Sequence, residues 1–486
     1  MWHKRVPQEA AISSMINVRL LAVIVSCSCV HTLNAAQPNI VVLIADDLGY
    51  GELGCQGNPQ IPTPHIDRLA ETGVRCTQAY VTAPNCSPSR AGFLTGRFPT
   101  RFGYEFNPIG ARNEDPGTGI PQSETLLSEM LHNVGYTTAL IGKWHLGGAP
   151  DFHPQRHGFD EFFGFTHEGH YFVPPPWTGA TTMLRRKSLP AGTAGSRYRV
   201  SDSLIYSSHM GHDEPDYDAN NPILRIGQPV VEEEYLTDAI AREACSFVDR
   251  FQSSPFFLCV TFNAVHSPLQ AKKSTFAKFD SIEDVHRRIF AAMLSDLDTA
   301  VGRIVNKLDE CKIREKTLVV FFSDNGGPTK ELTSNNLPLR GGKGSMYEGG
   351  LRVPFIANWP SVLPRGRQCD DVISSMDILP TAARLASAEV PNSIDGRDIL
   401  PVLRGDQTGL YQRTLYWRQG NRAALRDGNW KLVSSNRSNR GRKWELFDLQ
   451  SDMVESHDFA AENPAKLQEL VSKWTELDKQ MMKPAF

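Results

Sequence analysis

Short apolar runs recur along the chain at Ile40–Ala45, Tyr136–Ile141, Phe256–Phe262 and Thr317–Phe322. Runs of this kind predict parallel strands buried on both faces. Helical spacing appears between them. Thr63 and Pro64 open a segment with Ile66, Leu69 and Ala70 on one face and Gly73 at its end. A second runs from Ser123 through Leu126, Leu127, Met130 and Leu131 to Gly135, and a long one covers about 282–308, with Ile289, Met293, Leu297, Val301, Ile304 and Leu308 in step. Strands alternating with helices predict an α/β fold with a large, mostly parallel sheet flanked by helices.

Two regions break this pattern. Residues 166–235 are rich in His, Arg, Pro and Gly with poor periodicity, and read as long loops over the sheet edge that could shape a cleft. Beyond about 405, short strands around Thr414–Trp417, Ala423–Arg426, Trp430–Val433 and Trp444–Phe447 are separated by turn residues, and a last helix carries Leu467, Leu470, Val471, Trp474 and Leu477. The expected organisation is a leader over 1–36, a catalytic domain over 37–404 and a small antiparallel sheet plus helix over 405–486.

The leader reading rests on Lys4, Arg5 and Arg19 before the apolar stretch Leu20–Val30, followed by Leu33-Asn34-Ala35-Ala36. That is the layout of a secretory signal, cleaved after Ala35 or Ala36, with Met15 as an alternative start. Ile24-Val25-Ser26-Cys27 also resembles a lipoprotein box that would anchor Cys27, but simple export fits the pattern better. The protein is therefore expected outside the cytoplasm: periplasmic, secreted or at the cell surface.

Lys+Arg 51 against Asp+Glu 54 leaves a net charge of −3, which argues against a nucleic-acid partner. No apolar run reaches the ~18 residues of a membrane span. Nine cysteines are present, seven of them after the leader. They lack paired metal-finger spacing and are too sparse for a disulfide scaffold.

The chemistry gathers where strands end. One strand closes on Asp46-Asp47 and another on Ser323-Asp324-Asn325-Gly326-Gly327. Carboxyl ends of parallel strands line the ligand crevice in such folds. Either pair alone is also ordinary turn chemistry. Together they offer three carboxylates and an amide, an oxygen set suited to a hard cation such as calcium or magnesium.

Pro84-Asn85-Cys86-Ser87-Pro88-Ser89-Arg90 leads into the apolar Ala91-Gly92-Phe93-Leu94 and predicts a helix starting near Cys86. A helix N-terminus favours an anion, Arg90 adds a planar cation, and a thiolate there would be activated. Yet a thiolate is a poor ligand for a hard cation, so Cys86 fits this site only if it is changed. Lys143 and His145, in Gly142-Lys143-Trp144-His145, would point to one side of an extended stretch and could hold an oxyanion and move a proton. His266 lies just beyond another strand end, and Lys343 sits in the Gly-rich loop Arg340–Gly344. Each alone reads more simply as a packed or solvated residue.

Cys86-x-Pro88-Ser89-Arg90, continued as Ala-Gly-Phe-Leu-Thr-Gly, resembles the signature of the type I sulfatases, close to the arylsulfatase A and N-acetylgalactosamine-6-sulfatase branches of the alkaline phosphatase superfamily. Gly142-Lys143-Trp144-His145, His266, Lys343, Asp46-Asp47 and Asp324-Asn325 resemble further motifs of that family in the same chain order. The resemblance implies an alkaline phosphatase-like fold and a sulfuric ester hydrolase acting on aryl or carbohydrate sulfates. It implies that a formylglycine-generating or equivalent maturation enzyme oxidises Cys86 to formylglycine. It implies one calcium held by Asp46, Asp47, modified Cys86, Asp324 and Asn325, with Arg90 supporting position 86. Lys143, His266 and Lys343 would hold the sulfate ester. A hydroxyl of the hydrated aldehyde would attack sulfur, His266 or Lys343 would protonate the leaving oxygen, and His145 would be the base that restores the aldehyde. Thr166 matches a family hydroxyl position poorly.

Two rivals remain. One is a phosphate or phosphonate ester hydrolase of the same superfamily, although its two-zinc members use several His ligands. The other is a non-catalytic protein that binds sulfated polymers through Arg437, Arg440, Arg442 and Lys443, a run that reads more simply as a solvated loop.

Overall fold

A computed structural model describes residues 37–409, 412–435 and 441–486. The leader and the basic residues Arg437 and Arg440 lie outside the described residues. Among the described residues, no helix is long and apolar enough to cross a membrane.

Five parallel strands form the centre of a ten-stranded sheet, in the spatial order Thr317–Ser323, Asn39–Ala45, Phe256–Thr261, Thr137–Lys143 and Glu161–Phe165. The alternation of the first strand decides the layering. Val41, Leu43 and Ala45 enter one apolar cluster, with the helices Leu236–Phe251 and Val285–Glu310. Ile40, Val42 and Ile44 enter the other, with the helices Cys86–Thr95, Leu127–His132 and Ile378–Leu385. This is the expected parallel sheet covered on both faces.

The sheet continues past Thr317–Ser323 through Phe355–Asn358, which runs antiparallel, to Val74–Tyr80 and Arg367–Ser374. These three strands escape the sequence reading. Val74–Tyr80 mixes Arg, Thr and Gln with apolar residues, and Phe355–Asn358 is only four residues long. The helix expected from Ser123 covers only Leu127–His132, because the Glu129 carboxylate accepts from the Leu126 N–H at 2.7 Å and caps it there.

Residues 166–235 are not merely loops. Ala180–Arg185, Arg197–Arg199 and Leu204–Ser207 join Leu269–Lys272 in a separate four-stranded sheet. Leu224–Arg225 pairs with the edge of the large sheet. Leu269–Lys272 and the edge strand Glu161–Phe165 lie far away in sequence, and Arg197–Arg199 is short and polar, so local periodicity carries little trace of these strands.

The C-terminal strands Thr414–Gln419, Arg422–Asp427, Trp430–Ser434 and Glu445–Asp448 make the expected antiparallel sheet, backed by the helix Pro464–Asp478. Leu415, Trp417, Leu432 and Trp474 pack in one cluster with Tyr80, Phe98, Met346 and Met376.

Candidate active site

The carboxyl ends of the central strands converge on one buried centre. The Asp324 N–H donates to the Ala45 carbonyl at 3.1 Å and the Asp46 N–H to the Ala264 carbonyl at 2.9 Å, which locks three strand ends together. Asp46, Asp47, Cys86 and Asp324 each place a ligand atom within 4.8 Å of the others, and all four are fully buried. The Asn325 Nδ2 donates to Asp47 Oδ1 at 2.7 Å, whereas its Oδ1 is buried without a hydrogen-bond partner. An orphaned amide oxygen beside three carboxylates fits a hard cation.

Cys86 opens the helix Cys86–Thr95, every residue of which is buried. Its Sγ lies 3.5 Å from Asp46 Oδ1. The expectation of an activated thiolate fails here. Burial first, and the Asp46 carboxylate next, push the thiol up, against Lys143 and Lys343. That direction keeps an unmodified Cys86 in the thiol form.

Cations surround the carboxylates. Arg90 donates through Nε to Asp324 Oδ2 at 2.8 Å and through Nη1 to the Lys143 carbonyl at 2.9 Å. The Lys143 Nζ reaches Asp46 Oδ2 at 2.5 Å, and the Lys343 Nζ reaches Asp47 at 2.7 Å. Burial raises Asp46, but Lys143, His266, Arg90 and Lys343 together outweigh it and hold the carboxyl far below its usual range. Asp324 goes the other way, to about 6, through burial and the Asp46 charge.

Lys143 and His145 do not share an extended stretch. The backbone turns at His145, whose φ is 56°. The turn is held by the His145 N–H on the Thr166 carbonyl at 3.2 Å and by the Ser87 hydroxyl on the His145 carbonyl at 2.5 Å. His145 Nε2 lies 2.9 Å from the Pro108 carbonyl, which can only accept, so Nε2 carries the proton. Its Nδ1 is buried with no partner. Burial and the Lys143 charge push His145 well below the usual histidine range, so Nδ1 is a bare lone pair. His266 Nδ1 contacts the Ser267 carbonyl at 2.8 Å, which turns Nε2 toward Asp47 at 3.6 Å. Burial and Lys343 lower His266 as well.

A network beside His266 has no sequence signature. Arg185 pairs with Glu214 and with Glu331, each at 2.5 Å, and the Ser267 hydroxyl donates to Glu331 at 2.9 Å. Arg185 comes from the small second sheet, whose existence the sequence reading missed.

The fold is that of the alkaline phosphatase-like class. The phosphonate monoester hydrolase of Agrobacterium radiobacter shares that fold, with a TM-score of 0.61 at 19% identity over 92% of this chain and 96% of that one. The sulfatase family model matches residues 38–388, and the model for the N-sulphoglucosamine sulphohydrolase C-terminal region matches residues 342–483. Within the class, the chain belongs to the sulfatase family, the sulfuric ester hydrolases.

Steryl-sulfatase of Mus musculus is 38% identical over 421 residues, covering 76% of this chain and 65% of the relative, just under two thirds of its length. N-acetylgalactosamine-6-sulfatase of Sus scrofa is 34% identical over 423 residues, covering 85% of this chain and 74% of the relative. The crystal structure of Ps i-CgsB in complex with k-i-k-neocarrahexaose superposes with a TM-score of 0.80 at 34% identity, over 93% of this chain and 94% of that one.

Proposed function

We propose that this protein hydrolyses sulfate monoesters of aryl or carbohydrate alcohols through a formylglycine made from Cys86, with one calcium ion held by Asp46, Asp47, Asp324, Asn325 and position 86. The observation that carries this reading is the unpartnered Asn325 Oδ1 beside three buried carboxylates, with Cys86 Sγ 3.5 Å from one of them. Calcium bound there would supply fixed positive charge against the sulfonyl oxygens. The hydrated aldehyde would supply the attacking oxygen, which sulfur at position 86 cannot.

The chain's own residues do the rest. Arg90 fixes Asp324 and the Lys143 backbone, so carboxylate and ammonium keep their spacing. Lys143 and Lys343 hold the sulfate. Burial opposes the charge of Lys343, but the carboxylates of Asp47 and Asp46 keep it raised well above the usual lysine range. Lys343 is therefore charged at neutral pH and has a proton to offer the leaving oxygen, which the Nε2 of neutral His266 lacks. His266, neutral through burial, orients the bridging oxygen. His145 Nδ1 is the base. The leader pattern supports export, and a maturation enzyme acting on Cys86 is the required partner.

The phosphoester rival rests on shared fold alone. The polymer-binding rival loses part of its surface, since Arg442 stacks on Trp474 at 4.4 Å. One experiment tests the reading: the mass of the peptide containing position 86, alongside turnover of an aryl sulfate and an aryl phosphate. A mass lowered by the difference between thiol and aldehyde, with sulfate preferred, is expected. Full sulfatase activity with an unmodified cysteine overturns the formylglycine, and preference for phosphate overturns the substrate. Chelation of calcium is expected to abolish turnover and lower the melting temperature, with recovery on adding calcium back.

A further inference from the structure

A cavity of about 180 Å³ lies beside the catalytic centre, walled in part by Gly110, Glu114, His167, Glu168, Asp216 and Tyr217. One histidine of the centre, His266, packs against its wall, and the other, His145, is held by a segment that leads into it. Pro108, whose carbonyl holds His145 Nε2, stands two residues before Gly110, whose N–H donates to Glu168 Oε1 at 2.9 Å. Asn113 Nδ2 secures the other Glu168 oxygen at 2.7 Å. On the opposite side, the Tyr217 ring meets His266 edge-on with centroids 6.4 Å apart. A Cβ built on Gly169, another wall residue, would stand 2.9 Å from Tyr217 and 3.3 Å from His266 Nδ1. The cavity therefore adjoins His266, the histidine that faces the bridging oxygen in the sulfatase reading.

Its chemistry is opposite to that of the sulfate centre. Glu114, Glu168 and Asp216 supply carboxylates, and no lysine or arginine lines it. His167 is buried, which pushes it below the usual histidine range and leaves it neutral. Carboxylates accept from sugar hydroxyls, whereas a second sulfate or carboxylate would meet like charge at close range. The volume is below the ~300–1,000 Å³ of pockets for drug-sized ligands, so it suits a single ring better than a fused sterol.

Building on the sulfatase reading, we propose that this cavity seats the sugar ring bearing the scissile sulfate, and that the ring it accepts is neutral, hydroxylated and free of a second anionic group.

The test uses the purified full chain. Its kcat/KM is measured on 4-nitrophenyl sulfate, on singly sulfated glucose, galactose and N-acetylgalactosamine, and on the same sugars carrying a second sulfate. The best singly sulfated sugar is expected to exceed its disulfated counterpart by about 10-fold or more, since like charges cost over a kcal/mol. The E114K/D216K variant, altered at two exposed positions, is expected to narrow that ratio to about 3-fold or less by removing both repulsive charges. Equal kcat/KM on the two sugar sets with wild type, or an unchanged ratio in a folded E114K/D216K, overturns the cavity assignment while aryl sulfate turnover leaves the sulfatase reading standing. No turnover of any sulfate by protein carrying the modified residue overturns the sulfatase reading and this inference with it.

Discussion

Position 86 concentrates the demands of the site on one side chain. It sits at the start of a buried helix, 3.5 Å from Asp46, and in the proposed mechanism it would present oxygen rather than sulfur. Cys86→Ser supplies an oxygen but only one hydroxyl, so it lacks the group whose deprotonation would release bound sulfate. It is expected to transfer sulfate once and stall, which a rapid-quench burst of about one alcohol per enzyme detects; sustained turnover contradicts it. Cys86→Ala gives no burst at all. Glu331 offers a second test. Burial raises its carboxyl, but Arg185, Lys343 and His266 outweigh it and bring it down to about 2 from 4.5. A carboxyl lowered in the folded state contributes stability that is full above the unfolded value and is lost as pH falls through the folded one. The melting-temperature deficit of Glu331→Gln against wild type is therefore expected to be greatest above about pH 4.5 and to shrink toward pH 2.

Where strands meet, glycine decides whether Lys143 arrives. Gly142, just before it, has a φ of 119°, and a Cβ there would lie 1.9 Å from the Thr261 carbonyl oxygen. The strand Thr137–Lys143 must pass Phe256–Thr261 at backbone distance, because the Thr261 hydroxyl donates to the Lys143 carbonyl at 2.7 Å. Gly142→Ala forces those strands apart and is expected to cost about 1–3 kcal/mol or more by denaturant unfolding. It should also lower kcat more than substrate affinity, since Lys143 shifts against Asp46. An alanine variant with wild-type midpoint and rate would show that the strand end tolerates displacement.

The C-terminal sheet shares a charged cluster with the body around it. The Lys431 Nζ is fully buried and lies 2.8 Å from Glu348 and 2.9 Å from Glu455. Burial raises both carboxyls; Lys431 with Arg352 and Arg426 brings Glu348 down to about 2, whereas Glu455 remains up at about 7. Glu348 opens the short helix Glu348–Leu351 that follows the Lys343 loop. Removing the ammonium leaves buried carboxylate charge uncompensated. Lys431→Met is expected to destabilise the protein by about 3–5 kcal/mol, read as a lower unfolding midpoint, with a single transition because the cluster belongs to both parts. Two separated transitions would show that the sheet unfolds on its own.

The amino-acid sequence by itself determined the architecture's centre. Ile40–Ala45 and Thr317–Phe322 are continuously apolar, as a parallel strand covered on both faces requires, and the carboxyl ends of such strands line the crevice. The Cys86–Gly96 segment likewise announced its chemistry, because the order of small, basic and apolar residues carries a family resemblance. Tertiary structure alone decided which atoms are left bare. That Nδ1 of His145 lacks a partner depends on a carbonyl 37 residues away, at Pro108. That Glu331 and Arg185 stand beside His266 depends on a small sheet whose strands pair across the chain. That the Cys86 thiol is pushed up rather than activated depends on burial and on Asp46. Periodicity reports what a residue's neighbours along the chain require, whereas proton affinity and hydrogen-bond satisfaction are set by neighbours that only folding supplies.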